Sequence, residues 1–150
     1  MRIENWMRRN VHVVKPLDGV LHARELMELH RINQLPVVVN GRLVGIITDR
    51  DVRDAMPGAI AAARDAATAH RRRTSEEEPT VEATMTTDVL TLAPGDSVVE
   101  AARLLRRERI GALPIVEGHR LVGILTRSDV LDAFIGLAEL ASEQRPEPRQ

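Results

Sequence analysis

The chain contains a long internal repeat, which constrains its architecture more than any other feature. A shift of 78 residues places 43–52 on 121–130, and the same register holds without a gap between 3–56 and 81–134. Each copy is near the size at which an isolated domain buries too little surface for comfortable stability, so the copies are expected to pack into one object. We therefore expect two halves related by approximate twofold symmetry, with one or two clefts between them.

Each copy begins with an extended segment that is followed by a helix. The extended segments, 11–14 and 89–92, precede a proline and then Asp18 or Asp96, which is suited to capping the next helix. In the second copy, Ser97 also begins a capping-box pattern, so the helix start there has two candidates. Helical periodicity predicts two core faces: Val20, Ala23, Leu26 and Met27 in the first copy, and Val98, Ala101, Leu104 and Leu105 in the second.

Two β-branched runs follow in each copy and predict a hairpin. In the first copy the runs are separated by Asn40-Gly41, a dipeptide typical of tight hairpin turns. A closing helix is predicted to begin at Thr48 in the first copy and at Thr126 in the second. The predicted fold class is therefore α/β (α+β), with two β-α-β-β-α repeats packed with pseudo-twofold symmetry.

The sequence divides into two repeats, a linker and a tail. Repeat 1 spans 1–57 and repeat 2 spans 81–141. Residues 58–80 are predicted to form a helical and charged linker, with an alanine-rich, helix-prone stretch at 59–70. The tail at 142–150 is rich in Pro, Glu and Arg, a composition that predicts disorder.

Composition excludes several classes of function. The net charge is -1, and Trp6 and Phe134 are the only aromatic residues, so neither a basic field nor a stacking platform for nucleic acid is present. No apolar run approaches the roughly 20 residues of a membrane-spanning helix, and the expected location is the cytoplasm. The chain lacks cysteine, histidine pairs at ligand spacing, phosphate-loop glycines and a nucleophile elbow, so neither a metal site nor a catalytic residue is predicted.

Both copies end their last predicted strand in a Thr-x-x-Asp element, Thr48 to Asp51 and Thr126 to Asp129. In one interpretation the element is a capping box, in which the threonine caps the closing helix and the aspartate returns a hydrogen bond. In the other, the helix N-terminus favours a phosphate and the carboxylate accepts hydrogen bonds from the vicinal hydroxyls of a ribose. The residues alone leave both interpretations open.

The doubled unit resembles a known family. Its paired Leu-Pro-Val/Ile-Val and Leu-Val-Gly-Ile-x-Thr-x-x-Asp strings are similar to those of tandem cystathionine-β-synthase (CBS) domain pairs, over about residues 1–140. Trp6-Met7 and the ending Asp132-Ala133-Phe134 are similar to the acetoin-utilisation B-type bacterial group of that family. The resemblance implies a Bateman-type regulatory module that binds AMP, ADP, ATP, S-adenosylmethionine or NAD between its repeats and requires no cofactor.

The resemblance also assigns roles to individual residues. It implies that Asp51 and Asp129 accept the ribose hydroxyls and that Thr48 and Thr126 lie near phosphate. The other implied ligand-binding residues are Val13, Val14, Thr91 and Leu92 along the adenine pocket, and Pro36 and Pro114 in the adjacent strand starts. Apart from the resemblance, Arg50, Arg53 and Arg127 are candidates to reach a phosphate from the closing helices.

One departure from the family pattern concerns phosphate. Several nucleotide-binding members carry a basic residue just before the Leu-Pro element, where this chain has Asn33-Gln34 and Gly111-Ala112. The resemblance therefore gives less support to a polyphosphate ligand. The two clefts are also expected to differ in charge and affinity, because Asp49-Arg50 in one corresponds to Arg127-Ser128 in the other.

The leading prediction from the sequence is a cytoplasmic sensor that is not an enzyme. It binds an adenosine-containing small molecule and acts through homodimer packing or an effector protein, with no nucleic-acid or membrane partner. The dimer interface is predicted on the apolar stripe of the closing helices, at 52–56 and 130–135. The alternative is a ligand-independent dimeric scaffold or interaction module, in which both Thr-x-x-Asp elements only cap helices.

Overall fold

The computed structural model describes residues 1–56 and 78–144. The helix predicted at 59–70, most of the predicted linker and residues 145–150 lie outside the described residues. The chain divides into two compact units. The Asp51 unit comprises His12–Val89 and His119–Leu121, and the Asp129 unit comprises Met1–Val11, Leu90–Gly118 and Val122–Gln150. The boundaries of the sequence repeats, 1–57 and 81–141, stay a prediction.

The Asp51 unit combines a β-hairpin with helices. Its elements are α1 (Val20–His30), β1 (Gln34–Val39), β2 (Arg42–Thr48), α2 (Asp49–Ala55) and α3 (Val81–Thr84). The predicted turn is confirmed, because Asn40 and Gly41 have φ values of 51° and 79°, the left-handed conformation that a two-residue hairpin loop requires. Ahead of α1, Val14 forms a single parallel bridge with Val37, so the predicted extended segment pairs with β1.

The Asp129 unit repeats this arrangement. Its elements are a short 3-10 helix (Ile3–Asn5), α4 (Val98–Glu108), β3 (Ala112–Glu117), β4 (Arg120–Thr126) and α5 (Arg127–Glu143). Leu92 forms the parallel bridge, here with Ile115. Because α5 extends to Glu143, Ser142 and Glu143 are helical, and the prediction that placed them in a disordered tail is wrong.

The predicted core faces of the first helix in each copy are confirmed. The buried members are Val20, Ala23 and Met27 in α1, and Val98, Ala101 and Leu105 in α4. Leu26 and Leu104 are partly buried against the same two clusters. The spacing of three and four residues therefore places one stripe of each helix on the core of its unit.

The predicted capping by Asp18 and Asp96 is wrong. Each carboxylate instead closes a turn ahead of the helix: Asp18 Oδ2 accepts a hydrogen bond from Lys15 N, and Asp96 Oδ2 accepts one from Ala93 N, both at 2.8 Å. These aspartates lie one residue before the N-cap positions, so they cannot reach the free N–H groups of the helix.

The two N-terminal helix caps differ between the units. In the Asp129 unit, Ser97 Oγ accepts a hydrogen bond from Val99 N at 3.1 Å. In the Asp51 unit, the N-cap of α1 is Gly19, which has no side chain, and Glu78 Oε1 accepts a hydrogen bond from Leu21 N at 2.7 Å. A carboxylate 57 positions further along the chain thus supplies the cap that a local serine supplies in the other unit.

Each unit also receives its leading segment from the other sequence repeat. Ile3 is fully buried in the Asp129 unit, where its N–H donates to Asp96 O at 2.9 Å. Val81 is fully buried in the Asp51 unit, where its N–H donates to Asp18 O at 2.8 Å. The two units therefore have equivalent contents although neither is one continuous repeat.

Candidate ligand-binding site

The two Thr-x-x-Asp elements both form complete capping boxes. Asp51 N donates to Thr48 Oγ1 at 3.2 Å, and Thr48 N donates to Asp51 Oδ2 at 2.9 Å. The equivalent bonds in the Asp129 unit are 3.2 Å from Asp129 N to Thr126 Oγ1 and 2.7 Å from Thr126 N to Asp129 Oδ2. The capping interpretation is thus observed at both places, and it uses only one oxygen of each carboxylate.

Asp51 and Asp129 differ in the contacts of their second carboxylate oxygen. Asp51 is half-buried, and Oδ1 has no hydrogen-bond partner among residues 1–56 and 78–144. Asp129 is buried, and its Oδ1 accepts a hydrogen bond from Arg8 Nε at 3.0 Å. Its Oδ2 accepts a further bond from Thr126 Oγ1 at 2.8 Å. The Asp51 carboxylate therefore retains an open acceptor, whereas both oxygens of Asp129 already have partners.

The other site residues predicted for the Asp51 unit lie on adjoining backbone. Val14 and Pro36 are buried and bonded to each other, with Val14 N donating to Pro36 O at 3.1 Å. Val13 is half-buried beside them. Thr48 pairs with Gln34 at the end of the hairpin where β1 begins, two positions from Pro36 along that strand. The structure thus places Pro36 and Thr48 near the same end of the hairpin.

The equivalent residues of the Asp129 unit have the same arrangement. Leu92 N donates to Pro114 O at 3.3 Å, and Val116 N donates to Leu92 O at 2.9 Å. Pro114 is buried, while Thr91 and Leu92 are half-buried. The backbone pairing of these residues is therefore alike in both units, which differ mainly at the carboxylate, and the adenine-lining role stays a prediction.

The arginines predicted to contact phosphate differ in how they are held. Arg53 forms an ion pair with Asp49 at 3.3 Å within α2. Arg127 Nε donates to Ile110 O at 2.9 Å, which ties its side chain to the loop before β3. Arg50 is exposed and forms no ion pair with any described residue. Arg50 is thus the candidate whose guanidinium is most available to an anion.

A separate cavity of about 430 Å³ lies in the Asp51 unit, beside the last turns of α1 and the first turn of α2. Its basic lining residues are Arg24 of α1, Arg31 directly after α1, and Arg53 of α2. The acidic Glu28 and Asp49 and the apolar Met27 and Val52 also line it. Neither carboxylate of the Thr-x-x-Asp elements lines it. Within the parts of the chain that are described, no group of three or more His, Asp or Glu side chains could hold a metal ion.

Arg8 is the site residue that sequence analysis missed. It lies 121 positions from Asp129, and an arginine in the leading segment carries no local signal of its partner. In the repeat register Arg8 corresponds to Thr86, so the two copies differ in charge there, as they also do at several other positions.

A family model for the CBS domain matches residues 3–58 and 81–136. The chain therefore belongs to the CBS domain family, as a tandem pair. It is similar to AcuB from Vibrio cholerae, whose crystal structure has a TM-score of 0.74 and 32% identity and covers 97% of this chain and 98% of that one. The predicted membership of the CBS family and the predicted mixed α/β fold of a Bateman-type module are confirmed.

Two relatives of different length match this CBS pair. A CBS domain-containing protein of Dictyostelium discoideum is 36% identical over 140 residues, which cover 91% of this chain and 93% of the relative. An inosine-5'-monophosphate dehydrogenase of Korarchaeum cryptofilum is 36% identical over 130 residues, which cover 86% of this chain and only 23% of that enzyme. This match lies in the CBS region of the enzyme and not in its catalytic domain.

Two similar crystal structures contain adenosine compounds. The structure of CBSX2 in complex with AMP has a TM-score of 0.74 and 28% identity, and covers 91% of this chain and 98% of that one. The CBS pair of protein MJ0100, in complex with 5'-methylthioadenosine and S-adenosyl-L-methionine, has a TM-score of 0.71 and 25% identity, with the same coverage. These relatives support the coarse prediction of a regulatory module that binds ligands.

Proposed function

We propose that this CBS pair is a regulatory module that binds an adenosine-containing ligand through the Thr-x-x-Asp element of the Asp51 unit. The observation that carries this proposal is the half-buried Asp51 carboxylate, whose Oδ2 completes the capping box while Oδ1 has no partner among the described residues. An ionised carboxylate only accepts hydrogen bonds, and vicinal ribose hydroxyls are matching donors. The cap and the ligand site are thus compatible functions of one side chain.

The adenine is proposed to lie along the extended segment ahead of α1. Both peptide groups of Val14 are bonded to β1, since Val14 N donates to Pro36 O and Val14 O accepts from Val38 N. Successive residues of an extended chain point their peptide groups to opposite sides, so those of Val13 point away from β1. They can therefore pair with the edge of an adenine, as can those of Thr91 in the Asp129 unit.

The exposed Arg50 guanidinium supports a ligand that carries an anionic group. One such arginine, with the N-terminus of α2 beside it, fits a single phosphate or carboxylate better than a polyphosphate. We therefore rank AMP and S-adenosylmethionine above ADP, ATP and NAD. The proposal includes no catalytic residue, no required cofactor and no nucleic-acid partner, and the cytoplasmic location expected from the sequence stays part of it. No described helix is long and apolar enough to cross a membrane.

The proposal is tested by calorimetric titration of the protein and its Asp51→Asn variant with AMP, S-adenosylmethionine and ATP. The asparagine carbonyl can still accept from Thr48 N, whereas an NH₂ group replaces the open oxygen and cannot accept from a hydroxyl. We expect AMP or S-adenosylmethionine to bind the unmodified protein and the affinity to fall at least about tenfold in Asp51→Asn, the loss of one hydrogen bond to a charged group.

The matched control is Asp54→Asn, which removes an exposed carboxylate near the other end of the same helix. This variant should bind as the unmodified protein does. Equal binding by Asp51→Asn, or no binding of any of the three ligands by a protein that melts cooperatively, would contradict the proposal.

A second candidate, the ligand-independent dimeric scaffold, is favoured by the surface of α5. Its exposed apolar side chains are Leu131, Phe134, Ile135, Leu137 and Leu140. The other half of the predicted interface is not available, because Val52 and Met56 are buried in the core of the Asp51 unit. We propose that a second copy of the chain covers α5, so that a Phe134→Asp variant should sediment as a lighter species. A dimer that forms equally with and without AMP would favour the scaffold over the sensor.

A further inference from the structure

The Asp129 carboxylate is engaged on both sides. Oδ2 accepts from Thr126 N at 2.7 Å and from Thr126 Oγ1 at 2.8 Å, while Oδ1 accepts from Arg8 Nε at 3.0 Å. The Asp129 side chain is 6% exposed, and that of Arg8 is 62% exposed. A ribose hydroxyl must therefore compete with a charged donor for Oδ1, in an ion pair whose strength is limited by the exposure of Arg8.

The backbone fixes the position of Arg8. Arg8 N donates to Ile124 O and Ile124 N donates to Arg8 O, both at 2.9 Å. Gly123 allows this close approach, since a Cβ added there would lie 3.0 Å from Arg8 O. The pairing of the leading segment with β4 therefore holds the Arg8 backbone at a position from which its guanidinium reaches Asp129.

The Asp51 unit has the same backbone pairing with a different side chain. Thr86 N donates to Ile46 O and Ile46 N donates to Thr86 O, both at 2.9 Å. Gly45 provides the same clearance, with an added Cβ 3.0 Å from Thr86 O. Threonine is short and uncharged, and Asp51 Oδ1 has no partner among the described residues. The two carboxylates thus differ because the leading segment places Arg8 beside Asp129, whereas the equivalent position in the Asp51 unit is Thr86.

We propose that Arg8 is a specificity-determining residue that closes the Asp129 carboxylate to ribose hydroxyls, so that the Asp51 unit holds the primary ligand site. This inference rests on the proposed function, because it assumes that the ligand binds through these carboxylates. A ribose that reaches Asp129 must share Oδ1 with the guanidinium or break the ion pair. The second site, in the Asp129 unit, therefore binds the ligand more weakly. A ligand bound there displaces the segment that carries Arg8.

The test exchanges the two residues and titrates each variant with AMP and, separately, with S-adenosylmethionine. Arg8→Thr gives the Asp129 unit the side chain of its counterpart, and Thr86→Arg does the reverse. We expect the unmodified protein to show one tight class of site that is lost in Asp51→Asn. Arg8→Thr should strengthen the second site about two- to fivefold, because the ribose no longer competes with an ion pair whose strength the exposure of Arg8 limits. Thr86→Arg should weaken the first site by a similar factor.

The outcomes separate this inference from the proposed function. If the tight site is lost in Asp51→Asn but Arg8→Thr binds as the unmodified protein does, the proposed function stands and the role of Arg8 is overturned. Loss of the tight site in Asp129→Asn instead of Asp51→Asn also overturns it. Absence of binding by every protein, Arg8→Thr included, overturns both. Arg8→Thr alone decides the question if Thr86→Arg does not fold, and the thermal midpoint of each variant serves as the folding control.

Discussion

Asp51 and Asp129 occupy equivalent positions in the two units, yet their carboxylates have different surroundings. Both complete a capping box with a threonine three residues earlier. Asp129 is buried and paired with Arg8, whereas Asp51 is half-buried and keeps one oxygen without a partner among the described residues. The repeat thus preserves backbone geometry and caps, while a residue from the leading segment differentiates the two carboxylates.

The largest effects should be equal in the two units, because their cores are built alike. Leu35 and Leu113 are equivalent positions and both are fully buried. Replacement of either by alanine should lower the free energy of unfolding by about 2–5 kcal/mol, through lost burial and the cavity left behind. Urea unfolding followed by circular dichroism measures this, with Leu29→Ala as the control because Leu29 is 74% exposed. A loss at one position only would mean that the two cores are not equivalent.

The glycines that admit the leading segments should also respond equally, with a smaller effect. An added Cβ at Gly45 would lie 2.5 Å from Met85 Sδ, and one at Gly123 would lie 2.7 Å from Met7 Sδ. Gly45→Ala and Gly123→Ala should each cost about 1–3 kcal/mol of stability, since overpacking forces neighbouring atoms to move. Gly95→Ala is the control, because among the described residues no atom beyond its chain neighbours lies within 4 Å of its added Cβ. A thermal midpoint unchanged from that of Gly95→Ala would argue against the tight approach.

Loss of the N-terminal cap of α1 or of α4 should lower stability by a similar amount, although different residues supply the two caps. Ser97→Ala removes the local cap of α4, and Glu78→Ala removes the distant cap of α1, each at about 0.5–2 kcal/mol. In the second case, Gly19→Ser should restore stability only when combined with Glu78→Ala, because an added Cβ at Gly19 collides with the Glu78 carboxylate. A double-mutant cycle by chemical unfolding checks this coupling. Additive effects in the cycle would show that Glu78 does not cap α1.

The smallest expected effect is the difference in stability between variants of the two aspartates. Asp129→Asn should lower stability by roughly 0.2–1 kcal/mol more than Asp51→Asn, because only Asp129 loses an ion pair, and the exposed Arg8 limits the value of that pair. In the Arg8→Thr background the two substitutions should have equal effects on the free energy of unfolding. A difference that persists without Arg8 would assign the asymmetry to another contact.

Local patterns were sufficient to predict much of the fold. The Asn40-Gly41 turn, the core stripe of α1 and the threonine caps all depend on residues within four positions of one another, so their signals are read directly from the sequence. The helix caps assigned to Asp18 and Asp96 failed because aspartate favours turns as well as helix starts, and a displacement of one residue separates the two.

The sequence predicted the Thr-x-x-Asp elements and a difference between the two clefts, but not the contact with Arg8 that distinguishes the two carboxylates. The Thr-x-x-Asp elements follow from spacing, whereas the pairing of Arg8 with Asp129 depends on how the leading segment crosses to a strand more than a hundred positions away. Glu78 and Leu21 present the same difficulty. Contacts of this kind are set by tertiary packing, so no periodicity or local spacing announces them.

The placement of the leading segment has a consequence for synthesis on the ribosome. The Asp51 unit takes its α1, β1, β2 and α3 from residues before 90, so most of it can fold while the chain is still being made. The Asp129 unit needs the first residues and the last helix together, since Ile3 and Ala133 share one core. Residues 1–11 therefore cannot complete their core until α5 has emerged.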